Sequence, residues 1–122
     1  MIRHIKCIRK KPDLSDQEFR AFWNAADFED LNQQVATLAK AVGYSRNLTL
    51  KVEATQRVID DREFVDPFDG VIEFLWEDAS QLMKLYDTPE AQELREKIAD
   101  YENQFIDRSR STAFFTEFNA AE

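Results

Sequence analysis

Hydrophobic and polar positions change period several times along this chain, and each change marks an element. "IRHIKCIR", from Ile2 to Arg9, is isoleucine-rich, alternates with charge and stops at "KKPD", the pattern of a short strand. One side of it carries Ile2, His4, Lys6 and Ile8; the other carries Arg3, Ile5, Cys7 and Arg9. "SDQE" then opens a helix, with Ser15 as N-cap and Glu18 completing a capping box. Phe19, Phe22, Trp23 and Ala26 follow at helical spacing as one apolar stripe. Leu31, Val35, Leu38 and Val42 form a second stripe in a different phase, so two helices, or one bent helix, meet near Asp27. Gly43 is the expected residue past the helix end.

Tyr44 to Val52 reads as a second strand, and the polar stretch from Glu53 to Asp66 as a loop with no more than a helical turn. Val71 to Trp76 is the clearest strand. Asp78 is placed to cap a helix with Leu82, Leu85 and Tyr86 as its stripe. Thr88 and Pro89 restart a helix whose inner face is Leu94, Ile98 and Tyr101. "RSRSTAFFTEF" closes the chain as a last strand.

Strand, helix, strand, strand, helix, strand is a ferredoxin-like α+β order, an antiparallel sheet with its helices on one face. Both faces of this sheet are apolar, however. In the third strand Ile72, Phe74 and Trp76 oppose Val71 and Leu75, and in the last strand Phe114 opposes Phe115. Burying four or five such side chains stabilises by roughly 5–10 kcal/mol, so the face without helices needs a cover. The simplest cover is the same face of a second copy, which predicts a homodimer joined sheet to sheet as a dimeric α/β barrel. A rival cover is the Glu53–Asp66 segment lying across its own sheet.

Composition narrows the partners. The 122 residues predict a single domain over 1–122, and ten Phe with two Trp exclude a disordered chain. A net charge of −8 argues against nucleic acid and anionic membrane. A single Cys, no long apolar run and an N-terminus without a leader pattern predict a cytoplasmic protein. With one His and one Cys and no glycine-rich phosphate loop, no metal and no cofactor are expected.

Four segments resemble one known family. "IKCIRKKPDLSDQEFRAFW" resembles the opening of EthD-domain proteins. "FDGVIEFLWED" and "YDTPEAQEL" resemble their central strand and later helix, and "FIDRSRSTAFFTEF" their closing strand. The resemblance covers most of the chain and lapses between Asp27 and Asp66. It implies a dimeric α/β barrel with a half-buried apolar pocket and one or two acid–base groups. By resemblance the activity would be cofactor-independent chemistry on an apolar or aromatic metabolite: isomerisation, dehydration, cyclisation or oxygenation, as in ether or aromatic degradation or polyketide-type pathways. An oxidoreductase, a lyase and an isomerase all fall within that range. Asp27 and Leu48 stand where many members have histidine, so the alternative is a non-catalytic binding or accessory protein of the same fold.

The residues offer their own candidates. His4 is the only imidazole, with a reference pKa near 6.5 suited to proton transfer. Lys6 shares its face and needs a carboxylate if buried, with Glu73 or Asp27 available. Asp27, if held against Phe19, Phe22 and Trp23, would be a general acid or base, and Tyr44 would supply a phenol. Phe19, Phe22, Trp23, Phe74 and Trp76, with Glu73, would line a pocket for a small apolar or aromatic ligand, although most of that aromatic set would serve as core.

Overall fold

A computed structural model describes residues 1–119, apart from the side chains of Gln81, Lys84 and Leu85. The expected role of Leu85 in an apolar stripe therefore lies outside the described residues. Strand β1 spans Ile2–Ile8, β2 Gly43–Leu48, β3 Gly70–Trp76 and β4 Thr112–Glu117. Helix α1 spans Asp16–Trp23, α2 Ala26–Leu38, α3 Glu53–Arg62 and α4 Pro89–Glu102. The sheet runs β2-β3-β1-β4 with every neighbouring pair antiparallel, the ferredoxin-like order.

Local chemistry sets the boundaries. Ser15 and Glu18 form the expected capping box at α1. The chain breaks at Asn24 and Ala25, so the change of phase separates two helices. Thr88 caps α4 through the Ala91 amide, with Pro89 in its first turn. Asp78 caps through the Ser80 amide, but the segment it opens, Ala79–Leu85, is a 3-10 helix.

Three expectations need correction. Residues Glu53–Arg62 form a full helix, α3, rather than a loop. It buries none of its own residues, and Val52, Val58, Phe64 and Val65 around it stay exposed, so this segment does not seal the sheet. Gly43 is not the residue past α2. Lys40 takes that left-handed position at φ 55°, while Gly43 begins β2 opposite Leu75. In α2 Phe28 and Asn32 are the fully buried residues, Leu31, Val35 and Leu38 of the expected stripe are half-buried, and Val42 lies beyond the helix and is exposed.

The core lies between the helices and one face of the sheet. Gly70, Ile72, Phe74 and Trp76 are buried there, alternating with the half-exposed Val71, Glu73 and Leu75 on the opposite face. Trp76 donates its indole N–H to the Ala39 carbonyl at 2.9 Å. Trp23 packs against Gly70, where an added Cβ would sit 2.5 Å from its ring, so only glycine fits beside the indole. Phe105 packs its ring 5.3 Å from both Phe22 and Phe28 and joins α1, α2 and the chain after α4.

Candidate functional site

Register decides which polar side chains meet. On β1, His4 pairs with Phe74 of β3 and Phe115 of β4, and Lys6 pairs with Ile72 and Ala113. All of these lie on the helix-facing side. The imidazole stacks on Phe115 with ring centroids 4.7 Å apart and on Phe74 at 6.4 Å. Phe74 is buried, but Phe115 is 45 % exposed because β4 is an edge strand that the helices leave uncovered. His4 therefore sits at the boundary between the core and the exposed edge of the sheet. Burial, then the nearby Lys6 charge, lowers its pKa from 6.5 to about 4, so the ring is neutral at pH 7.

Lys6 finds a carboxylate that sequence spacing did not suggest. Its ammonium donates to Glu102 Oε2 at 3.0 Å, at the last turn of α4. Both side chains are largely buried, at 21 % and 14 % exposed. Glu73, expected as the partner, is on the opposite face, where it pairs with Arg3 at 3.7 Å. That parity separates Glu73 from His4 altogether. Lys6 and Glu102 also line a cleft of about 200 Å³ with Ile8, Ile106, Arg108, Ser111 and Ala113.

Asp27 lies outside this groove. It is exposed in the first turn of α2 and lines a surface depression of about 410 Å³ with Lys97, Asp100 and Tyr101. Leu48 ends β2 packed against the core. Tyr44 faces the helices on β2, stacks on Phe74 at 5.1 Å and donates its hydroxyl to Glu29 Oε2 at 3.5 Å. Burial, above all, pushes its phenol up to about 12, which keeps it a hydrogen-bond donor. Glu29 is also held by Arg46, whose other guanidinium nitrogen donates to the Trp23 carbonyl at the end of α1. Tyr44 thus belongs to a network that fixes the joint between α1 and α2.

Of the aromatic residues expected to line a pocket, Phe19, Trp23, Phe74 and Trp76 are buried core, and Phe22 is half-buried. Glu102, which lines the small cleft, and Phe115, which stacks on His4, are residues that sequence reasoning did not place at the site. Depressions of about 520 and 530 Å³ lie between α2 and α4 and beneath α3. They are larger, but neither is lined by His4, Lys6 or Glu102. The smaller cleft is lined by the Lys6–Glu102 pair, and His4 lies two residues along β1 from Lys6, which makes it the better candidate. Among the described residues no cluster of three His, Cys, Asp or Glu side chains could hold a metal, and no helix is long and apolar enough to cross a membrane.

The sheet order and one-sided helices place the chain in the ferredoxin-like α+β class, and solved structures agree. A dimeric ferredoxin-like protein from Bacteroides fragilis superposes with a TM-score of 0.62 at 9 % identity, covering 96 % of this chain and 95 % of its own. An antibiotic biosynthesis monooxygenase is similar at TM-score 0.55 and 16 % identity, with 98 % and 100 % covered. A hydroxynitrile lyase from Passiflora edulis is similar at 0.53 and 18 %, with 98 % and 96 % covered. No curated protein sequence matches. The sequence profile of the EthD domain matches residues 11–109, and the chain belongs to the EthD-domain family.

Proposed function

We propose that this protein is a cofactor-independent acid–base enzyme acting on a small apolar or aromatic metabolite in the groove between β4 and α4. The observation that carries this reading is the placement of His4, stacked on the exposed Phe115 two residues along β1 from the Lys6–Glu102 pair. Two residues of strand span about 7 Å, the reach of a small activated carbonyl compound. His4, neutral at pH 7, takes a proton from carbon, and Lys6 stabilises the negative charge that develops on the carbonyl oxygen. The imidazolium, a strong acid with its pKa near 4, then returns the proton to a second atom. Delivery to another carbon gives isomerisation, and delivery to a departing hydroxyl gives dehydration.

The active form would be a homodimer joined through the open sheet face, a dimeric α/β barrel. Ile5, Val71, Leu75 and Phe114 share that face, and Phe114 is 44 % exposed. The Bacteroides fragilis neighbour, itself dimeric, supports this assembly. Phe114→Asp should halve the mass measured by light scattering, and a wild type that is monomeric at micromolar concentration removes the barrel.

The test of the activity uses wild type and His4→Gln against a panel of aromatic ketones, hydroxy ketones and polyketide-like diketones, with mass spectrometry detecting loss of water and NMR detecting isomers. Turnover by wild type that falls at least 100-fold in His4→Gln is expected for a lost acid–base group. Equal rates in the two proteins would remove His4 from catalysis. A binding protein of the same fold is the second reading, favoured by the weak basicity of His4 and by Asp27 and Leu48 at positions where the family often has histidine. Saturable binding without turnover would select it.

A further inference from the structure

The helix-facing row of β4 carries a second feature that proton transfer does not use. Ala113 lies opposite Lys6, and Phe115 lies opposite His4. Ala113 is small, and the cleft of about 200 Å³ opens against it. Ile8 and Ile106 give that cleft buried apolar walls. The rest of its lining is polar, with Lys6, Glu102, Arg108, Ser111 and Thr112.

The charges of that lining do not cancel. Lys6 donates to Glu102, which leaves ammonium hydrogens free for another acceptor. Arg108 has no carboxylate partner among the described residues, and its guanidinium reaches only Asn103 Oδ1, at 3.4 Å. Two cations therefore meet one anion, in a chain whose net charge is −8. The basic residues of the larger cleft beneath α3 are in a different position. There Arg9 is held by the Asp66 and Pro67 carbonyls, Lys10 by the Leu14 carbonyl, Lys51 by Asp16 and Asp69, and Arg110 faces Asp107 at 4.0 Å.

We infer that the β4–α4 cleft binds the carboxylate of a flat aromatic acid. The ring lies over Ala113 toward Phe115 and His4, and the carboxylate meets Arg108, the cation that the proposed proton transfer leaves unused. This rests on the groove proposed above and names the substrate class that it takes. Arg108 supplies a guanidinium fork suited to a carboxylate, and Ala113 sets the space allowed to the ring. A neutral ester of the same acid keeps the ring contacts and loses the charge-assisted hydrogen bonds.

Naphthoate and its methyl ester are suitable probes of the full chain, with calorimetry for affinity and NMR shifts at Ala113 and His4 for location. Naphthoate is expected to bind about tenfold more tightly than the ester, the effect of one charge-assisted contact. Arg108→Gln, at an exposed position, should abolish that preference while circular dichroism stays unchanged. Ala113→Leu should block both probes. Equal affinity for acid and ester, or a preference that survives in Arg108→Gln, overturns the carboxylate inference and leaves the groove standing. Failure of both probes to shift Ala113 and His4, or their undiminished binding to Ala113→Leu, overturns the groove itself.

Discussion

His4 offers a direct measurement, because a chain with one histidine has one imidazole signal to follow. The folded ring has a pKa of about 4 against 6.5 for the unfolded chain, with burial the larger cause and Lys6 the second. The unfolded state therefore takes up the proton first as pH falls. His4 contributes stability in full above pH 6.5 and loses it between 6.5 and about 4. At about 1.36 kcal/mol per pH unit the ceiling is near 3.4 kcal/mol, and solvent screening at a half-buried ring reduces it to roughly 1–2 kcal/mol. The assay is urea unfolding of wild type and His4→Gln at pH 7.5 and 4.5, since carboxylate titrations common to both proteins cancel in the difference. Wild type should lose roughly 1–2 kcal/mol more than the variant on acidification. An NMR titration of the His4 ring supplies the pKa itself, and the double variant Lys6→Met/Glu102→Gln should raise it by less than half of the total fall. A wild-type value at or above 6.5, or the same acid sensitivity in both proteins, would refute the burial argument. Full recovery to 6.5 in the double variant would show that charge, not burial, governs the ring.

Contacts elsewhere in the molecule set further outcomes. Gly70→Ala forces a methyl group against the buried Trp23 indole, 2.5 Å away before relaxation, and should lower stability by about 1–3 kcal/mol in urea unfolding. Lys40→Gly relieves a side chain held at φ 55° and should raise stability by roughly 0.5–1 kcal/mol; a loss would mean that the Lys40 side chain contributes more than its backbone costs. A double-mutant cycle on Lys6→Met and Glu102→Gln should give a coupling of about 1–2 kcal/mol, and additive single effects would show the pair to be no more than a surface contact.

The sequence carried most of the fold because its signals were local. A capping box, an Asp or Thr cap and strict alternation in β3 depend on neighbours one to four residues away, and each reappears in the structure. The features that escaped depended on distance or on competing chemistry. Lys6 and Glu102 are 96 residues apart, and only the docking of α4 over β1 brings them together. Helix α3 has no apolar stripe directed at a core, so periodicity had nothing to detect. Gly43 looked like the end of a helix, yet α2 stops earlier and Lys40 accepts the left-handed conformation instead. For the groove, His4 and Lys6 were legible from their common side of one strand. Phe115 was visible only as one of an adjacent pair, until β4 proved to be an edge with its helix-facing side uncovered.

The alternation along β1 has a mechanical consequence. His4 and Lys6 belong to one surface and Ile5 and Cys7 to the other, so the groove and the proposed dimer contact share a single ribbon of backbone. A slip of one residue in its pairing would exchange the two sets, turning the imidazole toward the second copy and Ile5 toward the helices. Any substitution that loosens β1 between its two neighbours should therefore disturb the proposed activity and the proposed self-association together, however far it lies from either.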